Sequence, residues 1–472
     1  MTEQDFTVTQ GAAPHRAAAP SWQDELKATL LLAWPLVIAQ LAQNALHVTD
    51  VIMLGWLGSD FLAAGTLATA VLTPVLLLGI GTVSAVAPLV AQARGARNIK
   101  GIRRVVRQGF WVSIAASALI IPLLLQIELF FTVTGQDPLA TERAGQYMQI
   151  AAFSVLPALG IMTLRSLLSA FDTTRIILWI TVAGVFFNAA VNYLLIFGNF
   201  GAPRLELRGA AVATLTTNLL MFALMLLFVL RHRRFKRFNI LVRFWRPDWS
   251  RFWQIVRIGV PIGFTLLAEV GMFTAAALFM GWLGTDEVAA HAVALQCAST
   301  AFMVPLGLGM ASTVRVGVGY GAKDRDAVAR AGWVAMALGT GFMAFSAALF
   351  IAFSGVFVRL FLDPNQASNT EALALAATYL VVAGLFQIVD GAQVIAAHAL
   401  RGLNDTTVPM LAAIIGYWFI GLPTAYALGF VADLEGVGIW LGLAVGLSAV
   451  AIVLTWRFAW RERLGLLRGI PA

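Results

Sequence analysis

Residues 35–58, PLVIAQLAQNALHVTDVIMLGWLG, and residues 261–284, PIGFTLLAEVGMFTAAALFMGWLG, are two versions of one segment, displaced by 226 residues. Each opens on a proline and closes on Gly-Trp-Leu-Gly. Asp137-Pro138 recurs as Asp363-Pro364 at the same displacement. Asp172-Thr173-Thr174 answers Asp405-Thr406-Thr407, and Arg208-Gly209 answers Glu435-Gly436, after small insertions. The chain therefore reads as a duplication, with halves at 25–230 and 252–460. A basic connector at 231–251 joins them, and the flanks are a disordered cytoplasmic tail at 1–24 and a second tail at 461–472.

With 60% hydrophobic and 12% charged residues, the chain departs from soluble proteins, in which about 25% of residues are charged. Apolar stretches long enough to cross a hydrocarbon core of roughly 30 Å recur twelve times, six in each half. They are continuously apolar rather than alternating with period two, which excludes a β-barrel. The expected fold is an all-α membrane protein of two pseudo-symmetric six-helix bundles. Six spans per half start both halves on the same side, so the repeats are parallel and rocking them can open a cleft alternately to either face. The single cysteine, Cys297, excludes an intrachain disulfide and cysteine-based metal centres.

The net charge of +8 suggests nucleic acid only until it is mapped. Arg94, Arg97, Lys100, Arg103, Arg104 and Arg107 fall between spans 2 and 3, and a run from Arg231 to Arg257 lies between spans 6 and 7. The opposite loops carry Asp60, Asp137, Asp286, Glu287, Asp363 and Asp433. Basic loops remain cytoplasmic, so both termini are expected inside and no nucleic-acid partner is implied. The glycines of Gly79-Ile80-Gly81 and Gly307-Leu308-Gly309 suit close helix packing. Gly317-x-Gly319-x-Gly321 ends a span rather than following a strand, so it is not a nucleotide fingerprint.

Three carboxylates fall inside spans: Asp50, Glu269 and Asp390. Each costs roughly 2.5–3.5 kcal/mol at a helix centre, which makes a functional role the default reading. Gln40, Asn44, His47 and Asp50, spaced four, three and three, share one helical face. Gln387, Asp390 and Gln393 repeat the pattern, and Thr265 precedes Glu269 by four. Lipid cannot satisfy such stripes, so they need water, an ion or a ligand. At 1.5 Å per residue, Asp50 lies about 33 Å along its span. Asn188, Asn192 and Thr214 reach a similar depth on spans 5 and 6. One carboxylate, two amides and a hydroxyl offer hard oxygen ligands or a hydrogen-bonded proton site. Glu269 and Asp390 fall nearer mid-depth. His47 is a candidate proton relay, Phe273 is one of several aromatics suited to a cationic ligand, and Arg165 and Arg315 are expected to snorkel or pair with an acid.

Val48-Thr49-Asp50-Val51-Ile52-Met53, Gly259-Val260-Pro261 with Ala268-Glu269-Val270, and Val389-Asp390-Gly391-Ala392-Gln393-Val394 leading to Leu400-Arg401-Gly402 resemble the multidrug and toxic compound extrusion (MATE) family, nearest its NorM-like branch. The resemblance covers about 25–460. It implies a two-lobed, twelve-helix antiporter exporting organic cations against inward Na⁺ or H⁺; a monomer in the bacterial inner membrane with no other cofactor is expected. Asp50, Asn188, Asn192 and Thr214 match the family's amino-lobe coupling site, and Glu269 and Asp390 its carboxy-lobe acids. Na⁺ is expected at either group. Asn192 stands where archaeal and DinF-like members carry aspartate, so this site has one carboxylate fewer.

A lipid-linked oligosaccharide flippase of similar duplicated fold is the alternative, expected to line its cleft with more basic residues. A major-facilitator carrier would show a charged Gly/Asp/Arg loop after span 2, which is absent. No His-Glu-x-x-His or Gly-x-Ser-x-Gly constellation points to an enzyme.

Overall fold

The computed structural model describes residues 21–361 and 370–470. Asp363-Pro364 and residues 1–20 of the amino-terminal tail lie outside the described residues. Among the described residues, twelve helices are long and apolar enough to cross a membrane, and there is no strand. They are α1 (Trp22–Leu57), α2 (Ser59–Gly95), α3 (Ile99–Leu125), α4 (Pro138–Ala170), α5 (Thr174–Phe197) and α6 (Leu207–Arg231) in the amino-terminal lobe. The carboxy-terminal lobe holds α7 (Trp249–Leu283), α8 (Thr285–Gly321), α9 (Arg325–Arg359), α10 (Thr370–Gly402), α11 (Thr407–Val431) and α12 (Glu435–Ala459).

Helix α1 starts earlier than the tail boundary expected at residue 24, because Ser21 and Asp24 form a capping box that satisfies the first free amides. The repeated Gly-Trp-Leu-Gly marks the turn from α1 to α2 and from α7 to α8. At Gly58 the backbone takes φ +143°, a conformation that favours glycine. The carboxy-terminal segment is not free: Leu467 and Ile470 are buried, and Arg325 donates to the Ile470 carbonyl. The connector packs likewise, with Phe235, Phe238 and Ile240 buried and Arg107 and Trp111 of α3 donating to its carbonyls.

The lobes meet along the halves of their helices next to the termini. A Cβ on Gly81 of α2 would collide with the Gly263 backbone of α7, and one on Gly259 with the Thr82 carbonyl. Gly307 of α8 lies against Val37 of α1, and Gly321 against Gln92. Glycine allows backbones this close. Polar ties reinforce the seal. Gln92 donates to the Gly402 carbonyl at 2.9 Å and accepts from Asn404 at 2.8 Å, and Glu25 of α1 pairs with Arg315 of α8. Arg315 thus pairs with an acid, as its length and position suggested.

Candidate ion and substrate sites

The amino-lobe site is built on α1, α5 and α6. Asn188 and Asn192 lie one turn apart on α5, both fully buried. The Asn192 amide donates to Asp50 Oδ1 at 2.5 Å and to Asn188 Oδ1 at 3.0 Å. Its own Oδ1 and the Asn188 amide nitrogen are buried without a hydrogen-bond partner among the described residues. Tyr147 of α4 lies within reach of both Asp50 and the Thr214 hydroxyl. Unpaired buried polar atoms are rare and costly. The Asp50 carboxylate and the free Asn192 Oδ1 are the oxygens that could hold a cation or a proton here.

The carboxy-lobe site is a separate polar interior. Gln387, Asp390 and Gln393 of α10 are all buried, as is Thr265 of α7. Asp390, Glu269, Arg401 and Tyr417 lie close enough for their charges to act on one another, with no direct hydrogen bond or ion pair among these four. Gln393 donates to the Tyr417 hydroxyl at 2.6 Å. Ser346 of α9 donates to Gln387 at 3.4 Å. Tyr417 sits on a π-helical stretch, Ile415–Gly421, and π-turns recur at functional sites. The neighbouring Trp418 donates to the carbonyl of Ala268, next to Glu269, fixing α11 against α7. Thr265 spends its hydroxyl on the Pro261 carbonyl of its own helix, so it shares a face with Glu269 without bonding to it.

Between the lobes lies a cavity of about 420 Å³, within the range of small-molecule sites. Its wall includes Gln40, Gln43, Arg165 and Asn218 from one lobe, and Ile262, Met310, His398 and Arg401 from the other. Arg165 departs from the expected snorkelling or acid pairing: it donates to Gln43 at 2.9 Å and Gln40 at 2.6 Å. Gln40 therefore turns to Arg165, while Asp50 on the same helix turns to α5. Asn44 lies between them half-buried, and His47 is exposed. Phe273 is outside this cavity wall; it packs edge-on against Phe386, which packs on Trp440.

Tyr147, Tyr417, Arg401 and Gln43 were not singled out as site residues from sequence. Only Arg401 carried a signal, inside the Leu-Arg-Gly motif. The tyrosines reach their acids across helices, which spacing along one chain does not show.

The family model MatE matches residues 35–194 and 261–427, one block in each half. "Probable multidrug resistance protein NorM" of Rhizobium meliloti is 45% identical over 93% of this chain and 94% of its own. The protein of that name from Brucella suis is 44% identical over 97% and 98%. Among solved structures, the eukaryotic MATE transporter AtDTX14 superposes with a TM-score of 0.82 at 22% identity, covering 95% of this chain and 99% of that one. An outward-facing multidrug resistance MATE family transporter gives 0.84 at 21%, covering 94% and 97%. These likenesses bear on the fold. Two matched blocks and relatives above 40% identity along almost the whole length place this twelve-span membrane protein in the MatE, or multidrug and toxic compound extrusion, family.

Proposed function

We propose that the chain is a secondary active multidrug efflux transporter of the bacterial inner membrane, exporting organic cations in exchange for inward Na⁺ or H⁺ by alternating access. The carrying observation is the Asp50–Asn192–Asn188 cluster, an acid held by neutral amides inside the membrane-spanning region with unpartnered polar atoms around it. Such an arrangement is expensive and has a use when the carboxylate is alternately bare and neutralised. The names of the NorM relatives support drug export. No covalent step is needed.

In the exchange cycle, the seal next to the termini closes the cytoplasmic side while the other side admits the coupling ion. Na⁺ or H⁺ on Asp50, or on the Glu269–Asp390 pair, removes the negative charge that holds a cationic drug, and the drug leaves. After the lobes rock, the ion dissociates inward and a new drug is taken up. One charge moving down 100 mV supplies about 2.3 kcal/mol, enough for a modest drug gradient per ion. Both groups are completed within one chain, which supports a monomeric working unit.

Proteoliposomes loaded with a permanently cationic dye test this. A Na⁺ gradient or a pH gradient, imposed separately, should drive dye movement, and one of them should be the stronger. No response to either overturns antiport, and flipping of a lipid-linked oligosaccharide in the same vesicles favours the flippase instead.

A further inference from the structure

The wall of the inter-lobe cavity has the opposite charge from the one a site for pure cations would show. Its charged residues are Arg165 and Arg401, and no aspartate or glutamate lies among them. Arg165 is 6% exposed, forms no ion pair among the described residues, and leaves its buried Nε without a partner. Its two contacts are neutral side-chain amides, which orient a guanidinium without cancelling its charge. An arginine that only tied α4 to α1 would be cheaper with a carboxylate opposite, because an uncompensated buried charge is costly.

The second arginine is partly compensated from behind. Arg401 feels the charge of Glu269, which is outside the cavity wall, and donates to His398 Nε2 at 3.1 Å. His398 Nδ1 lies 2.8 Å from the Val394 carbonyl. That nitrogen must therefore carry the hydrogen, Nε2 is an acceptor, and the ring is neutral. Arg165 is left as the uncompensated charge of the cavity. Arg165 and His398 each precede the repeated Asp-Thr-Thr by seven residues, so the two halves place a basic side chain type at the same point. Leu76, Ile80, Met162, Leu266 and Met310 supply apolar walls around them.

We propose that Arg165, oriented by Gln40 and Gln43, is a specificity-determining residue that binds an acidic group of the cargo, so that this cavity takes amphiphilic zwitterions bearing a carboxylate. The inference deepens the efflux reading and rests on it. The guanidinium hydrogens not taken by Gln40 and Gln43 supply the donors that a carboxylate matches, in a low-dielectric cavity where the charge is felt strongly.

The test uses a matched pair of dyes, rhodamine 110 with a free carboxylate and rhodamine 123, its methyl ester. Each is titrated by fluorescence polarisation against the full chain in nanodiscs. Arg165→Gln should weaken the acid by about tenfold or more, while the ester shifts by less than about twofold. Arg165→Lys, which keeps the charge but loses the fork, should fall between wild type and Arg165→Gln, and it serves alone if the glutamine variant does not yield folded protein. Equal losses for both dyes, an unchanged acid affinity in either variant, or no binding of the acid by wild type overturns the proposal. Gradient-driven transport of the ester tests the efflux reading separately. Transport without acid preference sinks only the Arg165 assignment, and acid preference without transport sinks only efflux.

Discussion

Glu25, in the first turn of α1, and Arg315, in the last third of α8, form a two-pronged ion pair across the lobe boundary, with Nε and Nη2 at 2.8 and 2.5 Å from the two carboxylate oxygens. Glu25 is almost fully buried, and the Arg315 side chain keeps a quarter of its exposure. Breaking a fully buried pair costs about 3–5 kcal/mol; the residual exposure of Arg315 puts Glu25→Gln near the bottom of that range. The seal should loosen with it. Cysteines introduced next to the termini at the lobe boundary, in a background lacking Cys297, should label faster in Glu25→Gln. The swap Glu25→Arg with Arg315→Glu should restore slow labelling. Unchanged labelling in the single variant removes the pair from the gate.

Asp50→Asn keeps the shape of the amino-lobe cluster and deletes its charge. The Asn192 amide still finds an oxygen, so folding and yield should be near wild type. Coupled dye transport should fall by at least about tenfold, the effect of losing roughly 1.4 kcal/mol of ion binding. Efflux from everted vesicles under a fixed ion gradient measures it, and full activity would show that Asp50 is not a coupling group.

Asp390→Asn should abolish extrusion while leaving expression intact, because it deletes a buried carboxylate whose Oδ1 has no hydrogen-bond partner among the described residues. Tyr417→Phe is the control. It removes the hydroxyl that accepts from Gln393 and strands a buried amide, costing about 1–3 kcal/mol. Thermal unfolding should register that variant more strongly than Asp390→Asn, with the opposite order for transport.

Gly263→Leu places a side chain where α7 and α2 touch backbone to backbone. The lobes cannot close over it. The variant should bind dye from the far side yet fail to transport it, and its inter-lobe cysteines should label without the protection seen in wild type.

The duplication and the twelve spans were legible because periodicity and hydrophobic length are local properties. The α5 amides were legible too: two asparagines one turn apart in an apolar span have nowhere to face but a polar interior, and the structure brings Asn192 to Asp50. The partners of Arg165 and Arg315 were not. Arg165 meets glutamines more than a hundred residues away, and Arg315 meets Glu25 across 290 residues of chain. Thr265 shares a helix face with Glu269 as its spacing indicates, while its hydroxyl donates to the Pro261 carbonyl of its own helix, a partner that spacing does not reveal. Spacing shows which side chains share a face; only packing of the helices shows what that face meets.

Where Gly81 and Gly263 touch, no side chain separates the two helices, and in the proposed rocking cycle that contact is the fulcrum. From there to the start of α2 at Ser59, the arm is about 33 Å at 1.5 Å per residue. A tilt of about 10° around that point carries the far end of the arm through about 6 Å by the same helix geometry, roughly the width of an aromatic ring. In the proposed cycle, small slips at a tangent of two glycines would thereby be magnified into passage for a drug-sized molecule.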